Sequence, residues 1–186
     1  MLALFFIGSI ICIALDQFTK YLVLDALSLD FCKVASSESH NAIEVIKDVL
    51  DFRYIGNSGG AFGIFSDSVM GRIFLILFTI IVIAAVIYFM IKKKPKSKLL
   101  ITSLTLLVGG ALGNFIDRIF RGFVIDFIQI KFIDFPIFNV ADCFVVVGAI
   151  LLALYILFFS PDFPKSDKNK EKKQENDISE ENAETE

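Results

Sequence analysis

Four long runs of apolar residues, separated by polar and charged segments, dominate the sequence. The runs are Leu2–Leu24, Ile73–Ile91, Leu99–Ile116 and Ile137–Phe159. Each is close to the ~20 residues that an α-helix needs to cross the hydrocarbon of a bilayer. We therefore predict four transmembrane helices. We expect the first to be a retained helix rather than a cleaved leader, because it carries Asp16 and no basic stretch precedes it.

The loops between these runs predict how the chain lies in the membrane. The loop Lys92–Lys98 holds five lysines in seven residues. Positive loops face the cytoplasm, so this loop and both chain termini are expected inside. Residues 25–72 and 117–136 are then expected on the outer side.

The two outer loops contain alternating apolar and polar residues, which is the pattern of a half-buried strand. The alternation occurs near the end of the stretch 42–55 and again from Phe123 to Phe132, and the first stretch leads into the glycine-rich segment 56–65. We predict a small sheet on the outer membrane face. The fold class is therefore a membrane α-helical protein with four transmembrane helices and a small extracytoplasmic β-sheet.

Composition supports the membrane assignment and separates the C-terminus from the rest. The chain has 186 residues, of which 55% are hydrophobic, and it includes 21 Phe. This is too apolar for a soluble domain of that size. Residues 161–186 carry 5 Lys and 9 Asp or Glu, which leaves the remaining chain close to neutral. We predict a membrane domain over residues 1–160 and a disordered, charged cytoplasmic tail over residues 161–186, and no nucleic-acid partner.

The predicted topology brings polar residues from distant segments to one level of the membrane, near its outer side. They are Asp16, Gln17, Lys20, Asn57, Asn114, Asp117, Arg118, Asp126, Asn139 and Asp142. Ionisable groups at that depth are costly unless they are paired or have a function. Helical spacing puts Asn139 and Asp142 on one face, and Asp16 lies one turn before Lys20.

The chemistry that these residues suggest depends on carboxylates rather than on a metal. Cys12, Cys32 and Cys143 share no metal-site spacing, and His40 is the single histidine. We therefore expect no metal and no cofactor. Two aspartates that share one proton can divide the acid and base roles of peptide hydrolysis, because the charge of one raises the pKa of the other.

Position alone leaves other interpretations open. Asp16 with Lys20, and Asp117 with the adjacent Arg118, are equally explained as ion pairs that brace helices. A membrane transport or binding protein would use outer carboxylates for cations, but polar residues should then line several spans, and the second span has no charged residue.

Five short blocks decide between these interpretations, because they resemble the bacterial lipoprotein signal peptidases (signal peptidase II) in order and spacing. The blocks are "DQFTK" (16–20), "NSGGAFG" (57–63), "GGALGNFIDR" (109–118), "GFVIDF" (122–127) and "FNVAD" (138–142). The resemblance implies a membrane aspartic endopeptidase with a small sheet cradle. It removes signal peptides from diacylglyceryl-modified prolipoproteins, cutting just before the lipidated cysteine.

The resemblance also assigns roles by position. Asp126 and Asp142 match the catalytic pair, with Asp117 as the rival for the second carboxylate. The matched supporting or substrate-binding positions are Asn57, Gly59, Asn114, Arg118, Asn139, Asp16, Lys20 and Asp117. The expected partners are prolipoprotein substrates and membrane lipids, the expected state is a monomer in the bacterial cell membrane, and the active site is expected near the outer leaflet. Because every candidate group is present, an inactive relative is disfavoured.

The aromatic residues beside these blocks allow two interpretations. Phe62, Phe65, Phe123 and Phe127 lie next to the candidate site residues. They either clasp a signal helix and its acyl chains or pack the protein core.

Overall fold

The computed structural model describes residues 1–30, 38–60, 64–65 and 68–159. The predicted tail and Phe62 lie outside these residues, so the domain boundary after residue 160 stays a prediction. The described residues up to 152 form one compact unit, and residues 153–159, the described part of a second unit, are helical.

Four helices account for most of the described chain. They are α1 (Leu2–Ala26), α2 (Val69–Lys93), α3 (Lys98–Phe120) and α4 (Val140–Phe159). All four are long and apolar enough to cross a membrane, which confirms the four predicted spans. The last helix begins three residues later than the apolar run, because Phe138 forms an antiparallel bridge with Ile128 before the helix starts.

A three-stranded antiparallel sheet is built from the two predicted outer loops. Its strands are β1 (Glu38–Ile46), β2 (Leu50–Asn57) and β3 (Val124–Ile130), in the order β1-β2-β3. The sheet confirms the prediction from residue alternation. In the register of β2 and β3, Ile55 lies opposite Asp126 and Asn57 lies opposite Val124. This pairing brings the end of β2 beside Asp126.

The sheet packs against the end of α1 through a small apolar core. The buried residues of this core are Val23, Leu24, Leu27, Tyr54, Phe123, Ile125 and Phe127. Phe123 and Phe127 are therefore core residues, which decides between their two interpretations. Phe65 differs from them, since its side chain is 48% exposed. The core holds β3 against the C-terminal end of α1.

Close contacts at glycine bring α1 and α4 against α3. A side chain at Gly110 would collide with the backbone oxygen of Ala141, and one at Gly113 would lie 2.6 Å from Oδ2 of Asp16. Small residues at such contacts allow helix backbones to approach closely in membranes. The approach brings Asp16 and the start of α4 to the same level as the C-terminal half of α3.

A glycine turn connects α3 to β3. Gly122 has a φ of +83°, in the left-handed region that favours glycine, and a side chain there would meet the guanidinium of Arg72. This turn reverses the chain, so that β3 returns toward the helix ends and places Asp126 there.

Candidate active site

The carboxylates of Asp126 and Asp142 are joined through one residue, Asn139. The side-chain amide of Asn139 donates to Oδ1 of Asp126 at 2.6 Å. The backbone N–H of Asn139 donates to Oδ2 of Asp142 at 3.1 Å. Two carboxylates, one on a strand and one on a helix, therefore accept hydrogen bonds from the same residue.

Asn139 also caps α4. Its side-chain oxygen accepts from the backbone N–H of Asp142 at 3.0 Å, so Asn139 and Asp142 bond each other reciprocally. This is the arrangement of a capping box, with a carboxylate at the third helical position. A negative charge in the first turn also interacts favourably with the helix dipole. The orientation of the Asp142 carboxylate is therefore set by the helix start.

Asn114 of α3 supplies the second hydrogen bond to Asp142. Its side-chain nitrogen donates to Oδ1 of Asp142 at 2.8 Å, and its oxygen accepts from the side chain of Asn139 at 2.9 Å. The same oxygen accepts from Nζ of Lys20 at 3.2 Å. Asn114 is buried and connects α1, α3 and α4 at this point.

Asn57, at the end of β2, supplies the second hydrogen bond to Asp126. Its side-chain nitrogen donates to Oδ2 of Asp126 at 2.9 Å. Its oxygen accepts from the backbone N–H of Gly59 at 2.9 Å, which closes the start of the glycine-rich turn. Arg118 donates from Nη2 to the backbone oxygen of Gly59 at 2.9 Å and so ties this turn to α3.

The two carboxylates differ in their surroundings. Asp126 is 2% exposed, whereas Asp142 is half-buried. Burial, and then the negative charge of Asp142, raise the pKa of Asp126 to about 7. The hydrogen bonds from Asn57 and Asn139 and the positive charge of Lys20 oppose this rise. The environment thus favours a neutral Asp126 beside a more accessible Asp142.

A second buried group of charges lies next to this pair and centres on Lys20. Its Nζ lies 2.8 Å from Oδ2 of Asp16 and 2.7 Å from Oδ2 of Asp117, and none of the three side chains is exposed. Arg121 lies 3.0 Å from Oδ1 of Asp117. The predicted pair of Asp16 with Lys20 is confirmed.

The expected ion pair of Asp117 with Arg118 is wrong. Arg118 follows Asp117 directly and donates instead to the backbone oxygens of Gly59 and Asn114. Neighbouring residues on a helix do not face each other, whereas residues four apart do, and Arg121 is four residues after Asp117.

Two residues of the Lys20 group were not assigned to the site from the sequence. Arg121 was detectable from its spacing of four residues after Asp117. Gln17 donates to Oδ2 of Asp16 and to Oδ1 of Asp117, both at 3.2 Å. Nothing in the sequence indicates that Gln17 reaches a residue on another helix.

The described residues contain no group of three or more His, Cys, Asp or Glu side chains arranged to hold a metal ion. All four carboxylate oxygens of Asp126 and Asp142 accept hydrogen bonds from amide N–H groups. The arrangement supplies one buried carboxyl group and one accessible carboxyl group, which is what divided acid and base chemistry requires.

Comparison with known proteins places the whole membrane body in one family. The family model for Signal peptidase (SPase) II matches residues 9–158. The chain is 38% identical over 144 residues to a lipoprotein signal peptidase of Streptococcus thermophilus, covering 77% of this chain and 86% of that protein. It is 41% identical over 148 residues to one of Clostridium acetobutylicum, covering 78% of this chain and 88% of that protein.

A solved structure supports the same relationship. It is a bacterial membrane enzyme structure determined by the in meso method at 2.3 Å resolution, and it is 33% identical to this chain. The TM-score is 0.71, and the similarity covers 88% of this chain and 94% of that one. The chain therefore belongs to the signal peptidase II family, the lipoprotein signal peptidases.

Proposed function

We propose that Asp126 and Asp142 are the catalytic pair with which this chain cleaves prolipoproteins. Membership of the family makes the chain an aspartic-type peptidase of the bacterial cell membrane. The observation that carries the residue assignment is that Asn139 bonds both carboxylates, on β3 and at the start of α4. Asp117, the rival, has both oxygens engaged by Lys20 and Arg121.

The difference in burial assigns the two roles. Asp126, whose pKa is raised to about 7, begins in the protonated form and donates to the oxygen of the scissile carbonyl. Asp142 is more accessible, and as a carboxylate it takes a proton from the attacking water. The hydroxyl then adds to the carbonyl carbon to form a tetrahedral diol.

Collapse of the diol returns both protons. Asp142 delivers the proton it took from water to the departing amine nitrogen as the C–N bond breaks. The diol hydroxyl gives its proton back to Asp126 as the new carboxyl group forms. The pair ends the cycle in its starting protonation state, so one water molecule is consumed and no cofactor is needed.

Asn57, Asn114 and Asn139 act by holding the two carboxyl groups in position. Each donates to at least one oxygen of the pair through its side chain. Neutral donors fix the carboxyl planes without adding a positive charge that would hold Asp126 ionised. Gly59 and Arg118 order the neighbouring turn, where the substrate backbone is expected to bind.

The proposed site lies toward the end of α3 that is opposite the lysine loop. Asn114 is sixteen residues along α3 from Lys98, which corresponds to about 24 Å of helix. A positive loop favours the cytoplasmic side. The pair would therefore work near the outer leaflet, and both termini would be cytoplasmic.

The substrate that fits this position carries its own lipid. A peptide bond at the outer boundary of the hydrocarbon is reachable when its neighbour is held at that depth, and two acyl chains on a cysteine provide such an anchor. We therefore propose diacylglyceryl-modified prolipoproteins, cut just before the modified cysteine. One chain supplies α1, α3, α4, β2 and β3 to the site, so a monomer is sufficient.

The experiment is cleavage of a diacylglyceryl-modified prolipoprotein by purified protein in detergent, followed by gel shift. Asp126→Asn and Asp142→Asn should each lower kcat by several powers of ten, because the acid or the base is lost. Asp134→Asn, in the exposed loop before α4, is the matched control and should cut normally. Normal cleavage by Asp126→Asn, with an inactive Asp117→Asn, would transfer the role to Asp117.

No specific observation favours the cation-transport alternative. The described part of α2 presents mainly apolar side chains on its exposed surface, among them Ile73, Leu77 and Ile81. Wild-type protein that fails to cut any lipidated precursor would reopen that alternative.

A further inference from the structure

Each proposed catalytic aspartate is preceded by a residue whose backbone N–H donates to a buried carboxylate. Before Asp126, the N–H of Ile125 donates to Oδ2 of Asp117 at 3.2 Å. Before Asp142, the N–H of Ala141 donates to Oδ1 of Asp16 at 3.0 Å. The two accepting carboxylates come from different helices, α3 and α1. They hold the backbone of both catalytic segments from outside those segments.

One of these two contacts supplies an acceptor to a backbone N–H group at the start of a helix. The first N–H groups of a helix have no acceptor within the helix, and Ala141 is in the first turn of α4. A carboxylate there also interacts favourably with the helix dipole. The amide of Ile125 lies shortly after the turn at Gly122, at the start of β3. Each of these residues directly precedes a proposed catalytic residue, and the Cα atoms of the two neighbours are about 3.8 Å apart.

Lys20 joins the two carboxylates. Its Nζ lies 2.8 Å from Asp16 and 2.7 Å from Asp117, and it also donates to Oδ1 of Asn114 at 3.2 Å. Asn114 in turn donates to Asp142. The ammonium group of Lys20 is thus connected to the segment of Asp126 through Asp117. It is connected to Asp142 in two ways, through Asp16 with Ala141 and through Asn114.

We propose that Lys20 is a positioning residue for the catalytic pair: it sets the distance between β3 and the start of α4 by holding Asp117 and Asp16 on one ammonium group. The proposal rests on the assignment of Asp126 and Asp142 above. Catalytic groups need placement to a fraction of an ångström, and a shift of ~1 Å costs about 100-fold in rate. Lys20 does not touch Asp126 or Asp142 in this arrangement; it acts through Asp16, Asp117 and Asn114.

The test is Lys20→Met in the full-length protein, assayed in detergent on a diacylglyceryl-modified prolipoprotein. We expect kcat to fall about 100-fold, as a ~1 Å displacement predicts, with KM within about threefold of wild type. Lys131→Met is the matched control. Lys131 forms surface ion pairs with Glu44 and Asp51, and its loss should change neither constant.

The pH profile gives a second measurement that a purely structural role would leave unchanged. The charged or titratable groups around Asp126 are Asp142 on α4, Arg118 on α3, Lys20 on α1 and Tyr54 on β2. The charge of Lys20 lowers the pKa of Asp126, so its removal should move the alkaline limb of the residual activity to higher pH. Lys131→Met should leave the limb where it is.

Folding is controlled by a second variant. If Lys20→Met does not yield folded protein, Asp16→Asn with Lys20→Met removes one charge of each sign, so the buried group keeps its net charge. The same loss of kcat is expected from it. A folded variant with kcat within threefold of wild type and an unchanged pH profile would overturn the proposal. So would failure of both variants to fold, since Lys20 would then be a determinant of the fold.

The outcomes separate this proposal from the one on which it rests. Wild-type protein without activity, or Asp126→Asn that cuts normally, would contradict the proposed catalytic pair. Active wild type, inactive Asp126→Asn and a fully active Lys20→Met would contradict only the positioning role.

Discussion

At the start of α4, the side chains of Asn139 and Asp142 each accept a hydrogen bond from the backbone N–H of the other residue, with N···O distances of 3.0 and 3.1 Å. The proposed catalytic carboxylate is therefore also part of the helix cap. The side chain of Asn139 donates in addition to Asp126 at 2.6 Å. The stability of the helix and the geometry of the proposed catalytic pair therefore depend on the same residue, and substitutions can separate them.

Asn139→Ser should separate the two roles. Serine keeps a capping oxygen for the helix, so Asn139→Ser should be more stable than Asn139→Ala by about 0.5–2 kcal/mol. Both variants lose the hydrogen bonds of the buried side-chain nitrogen, which lowers the free energy of unfolding. Both variants lose the side-chain nitrogen that bonds Asp126, and both should show a large fall in kcat. Thermal unfolding in detergent and cleavage kinetics measure the two effects. Full activity in Asn139→Ser would mean that its bond to Asp126 has no part in positioning.

Activity should fall as pH rises through about 7. The pKa of Asp126 is raised to about 7, first by burial and then by the charge of Asp142. If the protonated form of Asp126 is the acid, its fraction falls above that pH and kcat falls with it. An initial-rate profile from pH 5 to pH 9 tests this, and a rate that instead increases steadily through pH 7 would assign the acid role to Asp142.

Stability should follow pH in the same direction. The pKa of Asp126 is higher in the folded protein than its ordinary value of 3.8. Its protonated form is therefore favoured by folding, and this contribution is fully present below pH 3.8 and is lost as pH rises through about 7. Asp126→Asn removes the titration, so its unfolding temperature relative to wild type should increase from pH 5 to pH 8. A constant difference over that range would contradict the raised pKa.

Gly110→Ala should weaken the contact between α3 and α4. The added methyl group would collide with the backbone oxygen of Ala141, one residue before Asp142. Overpacking of this kind costs about 1–3 kcal/mol, and the displacement of α4 should lower kcat as well. Ile119→Ala, at an exposed position on the same helix, is the control and should change both little. A stable and fully active Gly110→Ala would show that the helices can separate without affecting the site.

An unmodified precursor should be cut far more slowly than the diacylglyceryl form of the same sequence. Each buried CH₂ of an acyl chain contributes about 0.8 kcal/mol to membrane anchoring, so two chains hold the scissile bond at the depth of the pair. The comparison is kcat/KM for both precursors in one detergent. Equal values would indicate a general membrane protease rather than one that requires the lipid.

Much of the architecture was predictable because it depends on local patterns. The four helices follow from the apolar runs, and β2 and β3 follow from residue alternation in short stretches of sequence, and these elements are confirmed. The pair of Asp16 with Lys20 is equally local, since both lie on one helix face. The five sequence blocks also identified the family, which the comparisons confirm.

Contacts between distant segments were decided by the tertiary structure alone. Lys20 reaches Asp117 on another helix, and Asn139 bonds Asp126 while it caps its own helix. Apolar length and residue alternation predict which elements form, but they do not predict how far two helices slide or rotate against each other. Here the close approach at Gly110 and Gly113 sets that register. This register determines which polar side chains meet. Asp117 therefore pairs with Lys20 of α1, although the sequence suggested its neighbour Arg118.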